Sequence, residues 1–495
     1  MYLQKFTIRG VKCFEEVSLE FPPSPSQTTD PPPRKCGDDP KEVRSYAGWH
    51  VLLGANATGK STLLQAIGIA LVGSNAWPQL LTPRGWVRRG STGFGILQAV
   101  ITKGDDDLAD RYQRGPFQPE IAVLPDKSVE YSGVPYDTPQ FVLGGSDKKQ
   151  ILKSVYATKK RGWFACGYGP FRRLSGGNND VVAKLTNKRQ WCMSSLFDES
   201  VALVRCEPWL LELHHKANDP DRAERGRYRA ALDRLKEIIN SLLPGQVCLH
   251  RVDSTGVYFV TRNGAPIALS ELSDGYRSFL ALVIDLLRHI FEDHEDSAVD
   301  QAGDPWKFSG GAVLVEGVVL VDEIDAHLHP TWQRRIGHML RQVFPRIQFI
   351  VSTHSPFVAQ AASTDGLFML RADGTTSESA SEDAVRVVQP EPSVRGWRAE
   401  RILTSELFGM LDTIGVEAEK LLSRYQELAG QTAFKRLTAD EATEMHALEG
   451  QLGRLITAPG ESTDEFRLRE ESEAFIRRTL AEARHEAPKA DSDFS

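Results

Sequence analysis

Cysteine is scarce in this 495-residue chain: there are 6, at positions 13, 36, 166, 192, 206 and 248, and no two stand in C-x-x-C spacing. That scatter argues against a structural zinc site or a disulfide framework and suits a reducing cytoplasm. Long apolar runs are missing, so no segment is expected to cross a bilayer, and the N-terminus reads as a strand and not as a signal peptide. Sustained heptads are missing too, which limits any arm to a short one. Positive charge is not in excess. The formal net charge is −7, which argues against an overall polyanion binder and leaves a local basic groove as the route to nucleic acid. The 41% hydrophobic and 25% charged content is ordinary for a globular protein, and the length has room for two or three domains.

The most informative stretch is Gly317-Val-Val-Leu-Val-Asp-Glu-Ile-Asp-Ala-His-Leu-His-Pro330. Its short, mostly β-branched run predicts a buried parallel strand. Alternation sends Asp322 and Glu323 in different directions at the strand's end, so that one acid suits a metal and the other faces a water. The chain also supplies a phosphate site. Val51-Leu-Leu-Gly-Ala-Asn-Ala-Thr-Gly-Lys-Ser-Thr62 fits the P-loop pattern of strand, glycine-bounded loop and helix. Backbone N–H groups over Gly54, Asn56, Ala57, Thr58, Gly59 and Thr62 are expected to cradle phosphates, with Lys60 reaching the terminal ones and Ser61 on Mg²⁺.

Two further elements sit around the acid strand. Leu269-Ser-Glu-Leu-Ser-Asp-Gly-Tyr-Arg-Ser278 places Ser273, Asp274 and Gly275 where an apolar helix begins, a position that can take an anion or simply cap the helix. Ile347-Gln-Phe-Ile-Val-Ser-Thr-His-Ser-Pro356 reads as another buried strand, ending in His354, whose imidazole can donate to a γ-phosphate or hold a water.

The chain divides on this reading into four parts. Residues 1–76 carry paired strands, a flexible loop over 22–48 and the P-loop; residues 77–264 are an inserted subdomain. Residues 265–372 hold the other core motifs, and 373–495 form a helical region with stretches at 397–411, 416–428, 440–456 and 465–483. Arg84, Arg88, Arg89 and Lys159-Lys160-Arg161, interleaved with Trp86 and Trp163, suit either a nucleic-acid surface or solvated loop charges beside anchoring aromatics.

The order P-loop, Ser-Asp-Gly turn, Asp-Glu strand and Ser-Thr-His strand end resembles the ABC-type ATPase heads of the RecF, SMC and OLD group. More narrowly, the chain is similar to AAA-family ATPases of bacterial anti-phage defence, the PtuA type of Septu systems and their retron-associated relatives. Tyr168-Gly-Pro-Phe-Arg-Arg173, Leu196-Phe-Asp-Glu199, Trp209-Leu-Leu-Glu212 and Trp397-Arg-Ala-Glu-Arg-Ile-Leu-Thr404 extend that resemblance over most of the chain. It implies an α/β fold: an ABC/SMC-head-like core with a mixed sheet, an inserted α+β subdomain and a helical C-terminal region. It implies ATP and Mg²⁺, with Lys60, Glu323 and His354 in hydrolysis and Ser61 and Asp322 on the metal. Gln98 is the candidate for the glutamine that senses Mg²⁺ in related heads. Ser273, Asp274 and Gly275 are implied to complete the site from a second copy, in a homodimer or higher oligomer. DNA, and a separate nuclease or effector docked on the C-terminal helices, are the implied partners. A repair ATPase and an ATP-dependent scaffold with little turnover are the alternatives. Asp274 and Tyr276 replace a glycine and a glutamine of the transporter signature, which points away from transporters. Leu314-Val-Glu-Gly317 mimics the start of a Toprim nuclease motif but lies inside the core without a downstream partner.

Overall fold

The computed structural model describes residues 1–24, 45–91, 93–104, 116–145, 148–154, 156, 163–174, 188–220, 224–243, 247–261, 264–295, 306–372, 385–390, 393–408, 410, 415–432 and 438–455. Residues 25–44 of the expected 22–48 loop, the Lys159–Arg161 run, the polar segment 377–383 and the helix over 465–483 lie outside these residues.

Of the five sheets among the described residues, all in the first compact unit, Met1–Trp397, the two largest form its core. The central one has six strands in the order Val385–Val388, Leu367–Ala372, Gly48–Gly54, Ile347–Ser352, Gly317–Val321, Ala165–Tyr168. All neighbours are parallel except the Val385–Val388 edge. Every residue of Gly317–Val321 and of Ile347–Ser352 is buried, as strands covered on both faces require. The second sheet is antiparallel, in the order Phe14–Glu20, Tyr2–Val11, Gly95–Thr102, Glu120–Val123, Phe141–Gly144.

The helix Lys60–Val72 lies against strands of both sheets. From Leu63 onward every residue but Gln65 is buried, and Leu63, Leu64, Ile67, Ile69 and Leu71 belong to one core with Phe6, Ile8, Leu97 and Leu320. Gly73 ends it at φ 88, a backbone that favours glycine. Its last carbonyls would be orphans, and aromatic side chains satisfy three of them. Trp77 Nε1 donates to Ile69 at 2.8 Å, the Tyr156 hydroxyl to Ala70 at 2.6 Å, and Trp163 Nε1 to Leu71 at 2.9 Å. Trp163 and Trp86 are both buried, so the aromatics of the suggested nucleic-acid surface are core anchors. Arg88 donates to the Cys13 carbonyl and Arg84 pairs with Asp126, as ordinary loop charges do.

Gln348 joins the two sheets. It is fully buried, its carbonyl accepts from the Leu3 N–H at 2.7 Å, and its amide donates to the Leu3 carbonyl at 2.8 Å. A third layer packs helices Cys206–Asn218, Arg225–Leu242 and Asp274–Glu295 with the small sheet Val247–Asp253, Gly256–Thr261, Pro266–Ala268.

The expected boundaries at 76/77 and 264/265 do not separate compact units. Strand Gly95–Thr102 pairs with Tyr2–Val11, and Ala165–Tyr168 pairs with the acid strand, so the stretch expected to be an insertion supplies strands to both sheets. The helical region begins later than 373, because Val385–Val388 is a core edge strand. The second unit starts at Arg398 and contains helices Ala399–Leu403, Val416–Thr432 and Ala439–Leu455. Arg424 there makes a two-pronged ion pair with Glu444. Among the described residues no helix is long and apolar enough to cross a membrane, and no His/Cys/Asp/Glu cluster forms a metal site.

Candidate functional site

The parallel strands place the three loops side by side. Gly48–Gly54 pairs with Ile347–Ser352, which pairs with Gly317–Val321. The P-loop, the His354 turn and the acid pair therefore emerge at the same carboxyl edge of adjacent strands, where open parallel sheets bind ligands.

In the P-loop, Ala57 takes a left-handed backbone at φ 65 and Gly59 one at φ 90. Gly59 backs onto the first hairpin. An added Cβ would lie 2.5 Å from Cys13 Sγ and 2.7 Å from the Phe14 ring, so this position accepts no side chain. Ala55, Asn56, Ala57 and Ser61 are exposed at the mouth of the loop. The Lys60 ammonium donates to the carbonyls of Gly54 and Ala55, both at 2.9 Å. Burial lowers its proton affinity, and the negative charges of Asp322, Glu323 and Asp325 act against that.

The acid loop is held from the next strand. Ser352 Oγ accepts from the Glu323 N–H at 2.8 Å and donates to Asp322 Oδ1. Asp325 Oδ1 accepts from Thr353 Oγ1 at 2.5 Å and from the His354 N–H at 3.3 Å. His354 itself is exposed. The N-terminus of helix Asp274–Glu295 meets the same loop: a Cβ on Gly275 would stand 2.7 Å from the His327 carbonyl, and the Tyr276 and Trp332 rings pack edge to face. Ser273 and Asp274 face solvent, with the Asp274 carboxylate paired to Arg277.

Lys60, Asp322 and Glu323 are thus gathered, His354 is tied to them through Asp325, and the signature turn is tied to them through His327. Gln98 is not brought to them. It is exposed on the antiparallel sheet, and its amide donates to Glu120 Oε2 at 2.7 Å. The alternation Leu97, Ala99, Ile101 inward leaves Gln98 outward, which is the physical reason the metal assignment is withdrawn. Asp325, Ser352 and Thr353 were not singled out by the sequence reading. Asp325 was visible as the third acid of the Asp-Glu-Ile-Asp run; the serine and threonine looked like ordinary residues of an apolar strand end.

A glycine-bounded loop on a helix N-terminus with Lys60 held against its carbonyls fits the phosphates of a nucleoside triphosphate, and Ser61 and Asp322 are oxygen donors of the kind that Mg²⁺ takes. Such neighbours on one parallel sheet are the layout of a P-loop nucleotide-binding domain. The chain belongs to the family described as "AAA domain, putative AbiEii toxin, Type IV TA system", whose sequence model matches residues 107–359, just over half of it. The matched span holds the signature turn, the acid strand and His354, and begins after the P-loop. The chain is 27% identical over 86% of its length to the Septu protein PtuA of Bacillus mycoides, of which it covers 47%. It is 32% identical over 28% of its length to the Retron Ec83 probable ATPase of Escherichia coli, covering 24% of that protein. It therefore spans less than half the length of these curated relatives. A solved SMC head domain from Thermotoga maritima aligns over 79% of this chain and 100% of its own, at 15% identity and a TM-score of 0.38.

Proposed function

We propose that this chain is the ATP-binding and ATP-hydrolysing subunit of a bacterial anti-phage defence complex. The observation that carries the reading is the seating of the P-loop, the Asp322–Glu323 pair and the His354 turn side by side at the carboxyl edge of three adjacent parallel strands. The similarity to a Septu protein and a retron ATPase supplies the defence context.

The roles follow from position. The loop N–H groups and Lys60 bind and orient the phosphates, and Ser61 and Asp322 hold the metal side. Mg²⁺, when bound, neutralises charge on the phosphate oxygens. Glu323 orients the attacking water and accepts its proton, and His354 faces the terminal phosphate. The exposed Ser273 and Asp274 suit contact with a second copy, so a head-to-head homodimer is the proposed working unit. ATP then favours the closed pair through contacts that only the γ-phosphate makes. DNA as the trigger and a separate nuclease or effector on the C-terminal helices complete the proposal.

Steady-state ATP hydrolysis, with and without duplex DNA, beside the Glu323→Gln variant, tests it. We expect DNA-dependent turnover that the variant loses by about a thousandfold while still binding ATP and shifting to dimer mass. Equal turnover in parent and variant, or no ATP binding by the parent, would sink the reading.

A further inference from the structure

Arg172 belongs to the Tyr168-Gly-Pro-Phe-Arg-Arg173 phrase and is buried, with 4% of its surface exposed. It follows the edge strand Ala165–Tyr168, whose last residue accepts from the Asp322 N–H at 2.8 Å. The chain then turns sharply at Gly169, where a Cβ would lie 2.2 Å from the Ser195 carbonyl oxygen, so only glycine lets the turn pass helix Lys188–Phe197. The turn returns Arg172 to the end of the acid strand. Its Nη1 donates to the Gly169 and Asp322 carbonyls, each at 2.9 Å, and its Nη2 donates to the Glu323 carbonyl at 3.0 Å.

A planar, multi-donor cation is the group best suited to tie two consecutive carbonyls. Its burial lowers its pKa to about 10, with Asp322, Asp325 and Glu323 acting against that, so it stays charged at neutral pH. What it ties down is unusual. Glu323 has φ 45, a left-handed backbone that non-glycine residues seldom adopt unless their surroundings impose it. Ser352 Oγ accepts the Glu323 N–H and Arg172 donates to its carbonyl, so both backbone ends of this residue are fixed by side chains. A buried arginine serving packing alone has no need to meet both of the carbonyls that flank one residue.

We infer that Arg172 is a positioning residue for ATP hydrolysis, acting through the Glu323 backbone: it clamps Glu323 in the left-handed conformation that aims its carboxylate across the P-loop. This rests on the reading of the site as an ATPase. Arg172 touches neither phosphate nor water in this role, so its loss lowers turnover and leaves nucleotide binding in place.

The test compares the parent chain, Arg172→Lys, Arg172→Met, Glu323→Gln and the Arg172→Met/Glu323→Gln double variant. The readouts are ATP turnover, affinity for a fluorescent ATP analogue, and amide hydrogen exchange of peptides covering 318–326. We expect Arg172→Met to lose about a hundredfold in kcat, the scale of a catalytic group misplaced by ~1 Å, while ATP affinity moves by less than about threefold. Exchange should rise at Glu323 and Ile324, Arg172→Lys should recover part of the turnover, and the double variant should be no slower than Glu323→Gln alone. If Arg172→Met does not fold, the charge-preserving Arg172→Lys carries the same comparison with a smaller loss. Parental turnover in both Arg172 variants, loss of ATP affinity in step with turnover, or further loss in the double variant overturns the proposal. Those outcomes require an active parent. A parent that neither binds nor hydrolyses ATP overturns the ATPase reading itself.

Discussion

Replacing Ser352 by alanine removes the hydroxyl that bridges the Asp322 carboxylate and the Glu323 N–H. Ser352 is fully buried, and its backbone bonds survive the change: it stays paired with Leu52, and its carbonyl still accepts from Ile324 at 3.0 Å. The loss is therefore confined to the side chain. A hydrogen bond to a charged group is worth about 1.5–3 kcal/mol, and an orphaned buried N–H costs about 1–3 kcal/mol more. Because Glu323 is only partly buried, water can relieve some of the second cost, and we expect ~3 kcal/mol in total. Urea unfolding followed by tryptophan fluorescence reads this directly, since Trp49 is fully buried in the neighbouring strand. Turnover should fall as well, because Asp322 and Glu323 lose their common anchor. A stability change below about 0.5 kcal/mol with parental turnover would mean that the hydroxyl does not bridge the two acids, and the site built here would be wrong.

Gln348→Leu keeps the volume but strands the N–H and carbonyl of Leu3 in the core; we expect about 2–5 kcal/mol of lost stability in urea with ATP affinity unchanged, and parental stability would show that the tie between the sheets is energetically idle. The buried His289 gives a pH prediction. Burial pulls its pKa down, but the Cys192 thiolate and Asp285 prevail over it and over Arg288, raising the pKa to about 9. A raised folded-state value means that its contribution is fully present below about 6.5, the unfolded value, and is lost as pH rises through about 9. Cys192, lowered to about 6 by Cys166 and by His289, has the opposite linkage, its contribution growing as pH rises towards 9. Urea midpoints should therefore stay level from pH 6.5 to 9, and His289→Gln, which removes the falling half of the pair, should leave them rising.

How much was legible varied with how local the signal was. The P-loop, the acid strand and the His354 strand are each one contiguous run of buried residues ending in polar ones, so element and chemistry were read together. The alternation of Phe6, Ile8, Val17 and Leu19 likewise matches the first hairpin. Strand Val247–Asp253 escaped notice because its register shifts between Leu249 and Arg251, which breaks the period of two that marks a strand. Gln98 shows the opposite error. Its neighbours Leu97 and Ala99 already assigned it to the outer face, yet the family pattern asked for a glutamine there. Arg172 could be noticed as part of a phrase, but its partners stand 150 and 151 residues away, a separation that no spacing rule reaches.

The same distances explain why substitutions around the acid loop will not act independently. Asp325 accepts from Thr353 and from the His354 N–H, so the loop that carries Glu323 also sets where His354 begins. Gln333, from the helix that follows, donates to the Leu328 carbonyl at 2.9 Å and accepts from Ser355 Oγ at 2.7 Å, closing a second bridge between the same two loops. His327, between these anchors, carries the carbonyl on which Gly275 rests. The signature turn, the acid pair and the histidine are three motifs in the sequence and one hydrogen-bonded and packed assembly in the fold. Residues that share partners in this way show interaction energies of roughly 0.5–3 kcal/mol, so single-variant losses here overlap and cannot be summed. Loss of Asp325 should therefore resemble loss of His354 and part of the loss of Glu323, although its carboxylate meets the chain's own Thr353 and His354.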